Sequence, residues 1–301
     1  MSAWLLSIQG TAFGSQIAMG LALCSALLHA AFGALQKGRH DPWLSRGVID
    51  FSYGVMALPF VIFVVPFPQP HMWPIFVMVF LIHCLYKYLQ GMAYARGAYT
   101  VVYPLVRGTG PLFAVIGAYF LLDERLSWVQ WSGILVLVLA IYGLAGYNLR
   151  YLTVGRDTLK PALIFAFLTG VMVAAYTTYD AYGIRASADP FTFLAWFFMI
   201  DGLIFMPPVA ALRWYHMLNR PALGPLMLRG AMGGVIAYLS FGAVILATYL
   251  DSVGQAVVLR ETSTVFSALI GALVLKEHIG WRRFVLMALI ALGAVIVGVG
   301  K

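Results

Sequence analysis

Five ionisable side chains fall deep inside apolar stretches of the sequence: Lys87, Arg107, Asp201, Arg260 and Glu261, with His29 and His83 in similar surroundings. At bilayer depth such a group costs at least ~2.5–3.5 kcal/mol on insertion scales, so it must face a cavity or a partner. Arg107 and Arg260 each lie eight residues into an apolar segment. At ~1.5 Å per residue that sets each one ~12 Å below the segment's start. A guanidinium is planar, permanently charged and forked, which suits a carboxylate or a phosphonate. Two readings are open: the arginines clamp an anion, or each pairs with Glu261, Asp201 or a freed carbonyl and ties helices together.

The flanking residues bear on the same choice. Tyr103 to Pro111 holds Pro104, Gly108, Gly110 and Pro111 around Arg107 and Thr109. Pro111 cannot donate to the carbonyl of Arg107, nor Pro104 to that of Thr100. Freed carbonyls at membrane depth line a cavity or are covered by protein, so the pattern predicts a broken helix at a site, or a kink for packing. The comparable stretch Leu259 to Thr264 lacks proline but offers Glu261 and the hydroxyls of Thr262, Ser263 and Thr264. Further candidates are His29, Tyr176 and Lys87. His29 is either a proton-coupling group or an interhelical hydrogen bonder. Tyr176 and Asp180 lie one turn apart on an expected helix, with Asp180 near its end, where a solvated role is equally open. Lys87, next to Tyr88, either reaches the site or snorkels. Candidates for proton coupling are His29, Glu261, Asp201 and Asp180.

The elements that hold these residues follow from composition. Of 301 residues 62% are hydrophobic and 10% charged, and the mean hydropathy is +0.90. Soluble domains carry about 25% charged residues, so a soluble enzyme, a disordered chain and a secreted disulfide scaffold are excluded. The expected class is an all-α polytopic membrane protein. A spanning helix needs about 20 mostly apolar residues. Ten candidates qualify: 15–36, 47–67, 73–94, 99–121, 128–147, 159–180, 191–212, 224–248, 252–275 and 281–300. The segments do not alternate as barrel strands would. No Lys or Arg precedes the first apolar run, which reads as a membrane helix rather than a cleaved leader. Cys24 and Cys84 read as small buried hydrophobes.

The cations sort by loop. Those after the odd-numbered spans hold Lys37, Arg39, Arg46, Arg96, Arg150, Arg156, Lys160, Arg213, Arg220, Arg229, Lys276, Arg282 and Arg283. The other side holds Arg125, Arg185 and Lys301. The positive-inside rule puts the richer side in the cytoplasm and both termini outside. The formal charge of +8 is then a topology signal and does not point to nucleic acid. Tryptophans near span ends, such as Trp128 and Trp281, read as an interfacial belt.

The halves register on each other. A shift of 153 residues sets Arg107 on Arg260, Thr109 on Thr262, Phe113 on Phe266, Leu122 on Leu275, Glu124 on Glu277 and Trp128 on Trp281. Earlier segments register at slightly different offsets: Ala30-Ala31-Phe32 on Ala174-Ala175-Tyr176, Gly54 on Gly202, Pro59 on Pro207. The halves are 1–150 and 151–301, with five spans each. An odd number inverts the second half, which is the architecture of secondary transporters with a site near the midplane. Duplication without alternating access is the alternative.

The helix ends Leu121-Leu122-Asp123-Glu124-Arg125-Leu126 and Val274-Leu275-Lys276-Glu277-His278-Ile279 resemble the "LLGERL" signature of EamA-type carriers in the drug/metabolite transporter superfamily. The resemblance covers nearly the whole chain. This chain departs from it at Asp123 and Lys276, where the family often has Gly, and at His278, where it has Arg. The resemblance implies ten helices and export or exchange of small metabolites, without naming the substrate. No P-loop, HExxH or Cys/His metal spacing occurs, so no cofactor, metal or enzymatic reaction is expected, and transport would draw on gradients. The expected protein is a multi-pass carrier of the cytoplasmic membrane that moves a small polar solute with an anionic group outward, or exchanges it, by alternating access. Alternatives are an exporter of cationic or drug-like compounds, and a non-transporting sensor or intramembrane enzyme. Its partners would be the substrate and the lipid bilayer. Gly143/Gly146 and Gly293/Gly298 would let the fifth and tenth spans pack on each other or on a second copy, so a monomer or a homodimer is expected.

Overall fold

The computed structural model describes residues 2–36, 41–97, 99–150, 158–266, 269 and 280–300. All regular structure among them is helical: α1 Ser2–Ile8, α2 Ala12–Gln36, α3 Pro42–Phe63, α4 Met72–Arg96, α5 Tyr99–Leu122, α6 Trp128–Arg150, α7 Leu159–Ala186, α8 Pro190–Leu203, α9 Met206–His216, α10 Leu223–Leu250, α11 Val253–Arg260 and α12 Trp281–Val299. Eight stretches of the described residues are long and apolar enough to cross a membrane, the last being Leu223–Leu250. The tenth expected span corresponds to a shorter apolar helix, Phe284–Val299. Of the ninth, 252–275, residues 252–266 and 269 are described; its remainder and the second signature with Lys276, Glu277 and His278 lie outside the described residues.

Local chemistry sets the helix starts. Asp41 accepts hydrogen bonds from the N–H groups of Trp43 (2.9 Å) and Leu44 (3.3 Å), with Pro42 at the first helical position of α3. Asp189 and Pro190 open α8 in the same way. An aspartate satisfies orphan N–H groups and the proline lacks one that would go unpaired. The two Asp-Pro caps stand at the offset that relates Gly54 to Gly202, so they are part of the repeat.

The structure corrects several boundaries. The sixth span runs on to Ala186, so Asp180 is interior and 1% exposed rather than near an end. Arg185 lies in the last turn of that helix, not in a loop, and Arg46 lies on α3. The seventh span breaks at residues 204–205, because Pro207 and Pro208 cannot donate to the carbonyls one turn back. The break expected at Arg107 is absent: α5 is continuous despite Pro104 and Pro111. The interruption falls at the equivalent place in the second half, which has no proline. There α11 stops at Arg260, Thr262 N–H turns back to the Leu259 carbonyl (3.1 Å), and the Thr262 hydroxyl takes the same carbonyl (2.7 Å). Hydroxyls that compete for backbone groups disrupt the ladder here. Cys24 is exposed and Cys84 only half-buried, so neither is a core residue.

Packing between the halves is reciprocal. The contact of α2 with α10 mirrors that of α4 with α7, and α5 on α7 mirrors α2 on α11. The pairs α3 with α8, and α6 with α12, are their own images under exchange of halves. Small residues let the backbones approach. Ala18, Ala22, Ala26 and Ala30 form a buried stripe on α2, and beside it the Ser240 hydroxyl on α10 donates to the Ser25 carbonyl at 2.9 Å. A methyl added at Gly202 would lie 2.7 Å from both the Asp50 carbonyl oxygen and Gly54 Cα. The α6–α12 crossing rests on Gly133 and on the expected Gly293; of the other glycines expected there, Gly143 faces Leu286, Gly146 faces nothing within 4 Å and Gly298 faces Leu259 and Met19. Trp128 and Trp281, equivalent in the repeat, are 90% and 74% exposed.

Candidate functional site

Between the halves lies a cavity of about 100 Å³, lined by side chains of α2, α3, α4, α5, α7, α8, α10 and α11. Its charged and titratable lining includes His29, Arg46, His83, Arg107, Asp201 and Arg260, with Tyr103 and Tyr176. Phe197, Phe198 and Phe241 supply much of the apolar wall. Arg46 stands near the start of α3, and Gln90 and Tyr94 near the end of α4, so the cavity reaches toward the cation-rich side of the protein.

Two polar clusters border this space. In the first, Arg107 Nε stands 2.9 Å from Glu261 Oε2, and Arg107 Nη2 donates to Ser263 Oγ at 3.0 Å. The guanidinium also lies 5.8 Å from the Tyr103 ring centroid. Arg107 on α5 is thus bound to the interruption after α11. Arg260, its repeat equivalent, is 6% exposed and lies over the Phe241 ring at 5.5 Å. Its Nε has no hydrogen-bond partner among the described residues. Glu261, adjacent to Arg260 in the chain, reaches across to Arg107 instead.

The second cluster is a chain of buried charges across α3, α4, α7 and α8. Arg46 Nε lies 2.7 Å from Asp50 Oδ1, and Lys87 Nζ lies 2.7 Å from Asp50 Oδ2 and 2.8 Å from Asp201 Oδ1. Lys87 also donates to the Asp201 carbonyl (3.0 Å) and to the Tyr53 hydroxyl (3.3 Å), and Tyr53 donates to Asp201 Oδ2 (2.5 Å). His83 closes the chain with Asp180 and Asp201. Buried pairs of this kind are held in place strongly, because losing one partner strands the other's charge, at about 3–5 kcal/mol.

The candidates from the sequence separate accordingly. Arg107, Arg260, Tyr103, Tyr176, His29 and Asp201 meet at the cavity. Glu261 and Ser263 stand behind Arg107. Lys87 does not snorkel; it is held within the charge chain, and Asp180 is reached through His83. Thr109 bonds the Leu105 carbonyl and pairs with the Tyr142 hydroxyl, and Thr262 bonds the Leu259 carbonyl, so both serve the backbone. Sequence reasoning passed over Asp50 and read Arg46 as a loop cation. Their spacing of one helical turn, with the acid inside an apolar segment, was the available signal.

On the cation-poor side the two halves are tied to each other. Glu124 Oε2 accepts from the Val253 N–H at the start of α11 (2.8 Å), and its Oε1 from Arg185 Nη2 (2.9 Å). Arg185 also donates to the carbonyls of Thr248 and Asp251 at the end of α10. The signature glutamate of the first half therefore binds the two halves together. Asp123 before it has φ +53°, the left-handed region that favours glycine.

A helical membrane protein of two matching halves around a shared polar cavity is the class to which many small-solute transporters belong. The sequence pattern of the EamA-like transporter family matches residues 16–146 and 160–299, one match in each half. The chain belongs to that family and so to the drug/metabolite transporter superfamily. Nothing among the curated proteins matches it. One solved structure, described only as "Crystal structure of protein", is similar with a TM-score of 0.74 and 20% identity, over 93% of this chain and 95% of that one. At that identity the likeness bears on the fold alone.

Proposed function

We propose that the protein is a secondary transporter that exports or exchanges a small polar metabolite bearing a carboxylate or other anionic group. It would work by alternating access between two inverted five-helix repeats, without a cofactor. One observation carries the anion: Arg260 lines the cavity with no ion pair among the described residues, while its equivalent, Arg107, is already matched by Glu261. A forked, desolvated guanidinium over an aromatic face is a strong seat for a planar anion. Cationic substrates fit less well, since Asp50, Asp180 and Asp201 are engaged by Lys87, Arg46 and His83. The tie at Glu124–Arg185 and the cavity's reach toward the cation-rich side support loading from the cytoplasm, given the positive-inside rule.

The test is binding to purified protein of lactate, L-alanine, L-glutamate, methylphosphonate and a quaternary ammonium dye, followed by flux of any stabilising compound in liposomes. Anionic compounds should bind and lose affinity in Arg260→Gln. Binding that survives this substitution unchanged would overturn the assignment. A cytoplasm-specific reporter fused after Lys301 should be inactive if both termini lie outside.

A further inference from the structure

We infer that His83 is a proton-binding site of this protein, and that a second ring proton lets the one imidazole bridge Asp180 on α7 and Asp201 on α8. As a coupling site this rests on the transporter reading; as a proton site it stands alone. His83 Nε2 lies 3.0 Å from Asp180 Oδ2 on α7, and Nδ1 lies 3.5 Å from Asp201 Oδ1 on α8. The three side chains are 4%, 2% and 6% exposed. A neutral imidazole has one N–H and one lone pair, so it serves one carboxylate and turns a lone pair on the other. An imidazolium donates to both.

The surrounding charges ask for the same proton. From α3 the site is faced by Arg46, Asp50 and Tyr53, from α4 itself by Lys87 and Tyr86, from α7 by Asp180 and Tyr176, and from α8 by Asp201. From α5, Tyr103 and Arg107 line the same cavity, while α10 presents the uncharged Phe241 ring. Arg46 and Lys87 answer Asp50 and Asp201. Asp180 has only His83, and its Oδ1 has no hydrogen-bond partner among the described residues. The proton binds the imidazole lone pair and leaves from it to the cavity, which His83 lines with its ring 4.7 Å from that of Tyr176. Its departure removes the imidazole's hold on one of these two carboxylates, while Lys87 still ties α4 to Asp201 on α8.

The site can be read without a transported solute. Protein carrying ¹⁵N-histidine in lipid nanodiscs should show a ring signal, absent from His83→Gln, that passes from both nitrogens protonated to one as the pH is swept over the full range in which the protein stays folded. Spin labels on Leu85 of α4 and Leu168 of α7, both outward-facing, are placed in a background with Cys24 and Cys84 replaced by Ser. Their separation should change by about 2 Å or more over the same range, and not in His83→Gln. If that variant fails to fold, Asp180→Asn serves: with one carboxylate removed, the doubly protonated signal should weaken relative to the unsubstituted protein at the same pH. A neutral His83 throughout, an unmoved label distance, or a signal unchanged by Asp180→Asn would overturn the assignment. Failure of lactate or L-alanine to bind would instead count against Arg260 and leave this result readable.

Discussion

Arg107 and Arg260 hold the same place in the two repeats, yet among the described residues Arg107 alone of the two has a carboxylate in an ion pair, Glu261 at 2.9 Å. Their substitutions should therefore fail in opposite ways. Arg107→Gln strands Glu261 and should lower unfolding stability by about 3–5 kcal/mol, with Arg107→Gln/Glu261→Gln less damaged. Arg260→Gln should fold nearly normally and lose carboxylate affinity by about tenfold to hundredfold, the worth of a charged hydrogen bond. Thermal unfolding and equilibrium binding on the same preparations separate the two.

Lys87 is the keystone of the second cluster, because Asp50 and Asp201 both lean on it. Lys87→Met should lose about 3–5 kcal/mol in detergent unfolding. Adding Asp201→Asn should return part of the loss, because it removes one stranded charge. A loss no larger than that of an exposed lysine would show that the cluster carries no structural weight.

Far more of the architecture than of this cluster was legible in the sequence. Hydropathy windows found the eight long apolar helices among the described residues because lipid imposes length and apolarity locally. The 153-residue shift paired Arg107 with Arg260 because equivalent helices keep equivalent residues. Ion pairs obey neither rule. Asp50, Lys87 and Asp201 sit on three different helices, and their meeting depends on how those helices pack. The prolines around Arg107 promised a break that α5 absorbed, while threonines at 262 and 264 made one where no proline stands.

Glu124 and Arg185 fasten the cation-poor side, each less buried than the central pairs. Glu124→Gln should weaken the fastening by about 1 kcal/mol, so a cysteine at Ser252 should react with an impermeant maleimide roughly fivefold faster. Equal labelling rates would mean that this contact does not hold the side shut.

Asp123 tolerates φ +53° as aspartate can, at some strain. Asp123→Gly should be neutral or stabilising by up to about 1 kcal/mol, and Asp123→Val destabilising. Thermal unfolding of the two variants reads the sign.

The crossing of Gly54 and Gly202 has a consequence for motion. Because each glycine is the other's image, swapping the roles of the halves returns the same contact. In a protein that alternates its access, such a point would behave as an axle, turning without being remade. Off the axle, α2 on α10 and α4 on α7 would trade arrangements. Were the charges matched as the backbones are, the two orientations would be equal in energy. They are not matched, because Glu261 stands 2.9 Å from Arg107 and forms no ion pair with Arg260 among the described residues. The proposed see-saw would be weighted by a single carboxylate, with a solute anion on Arg260 as its counterweight.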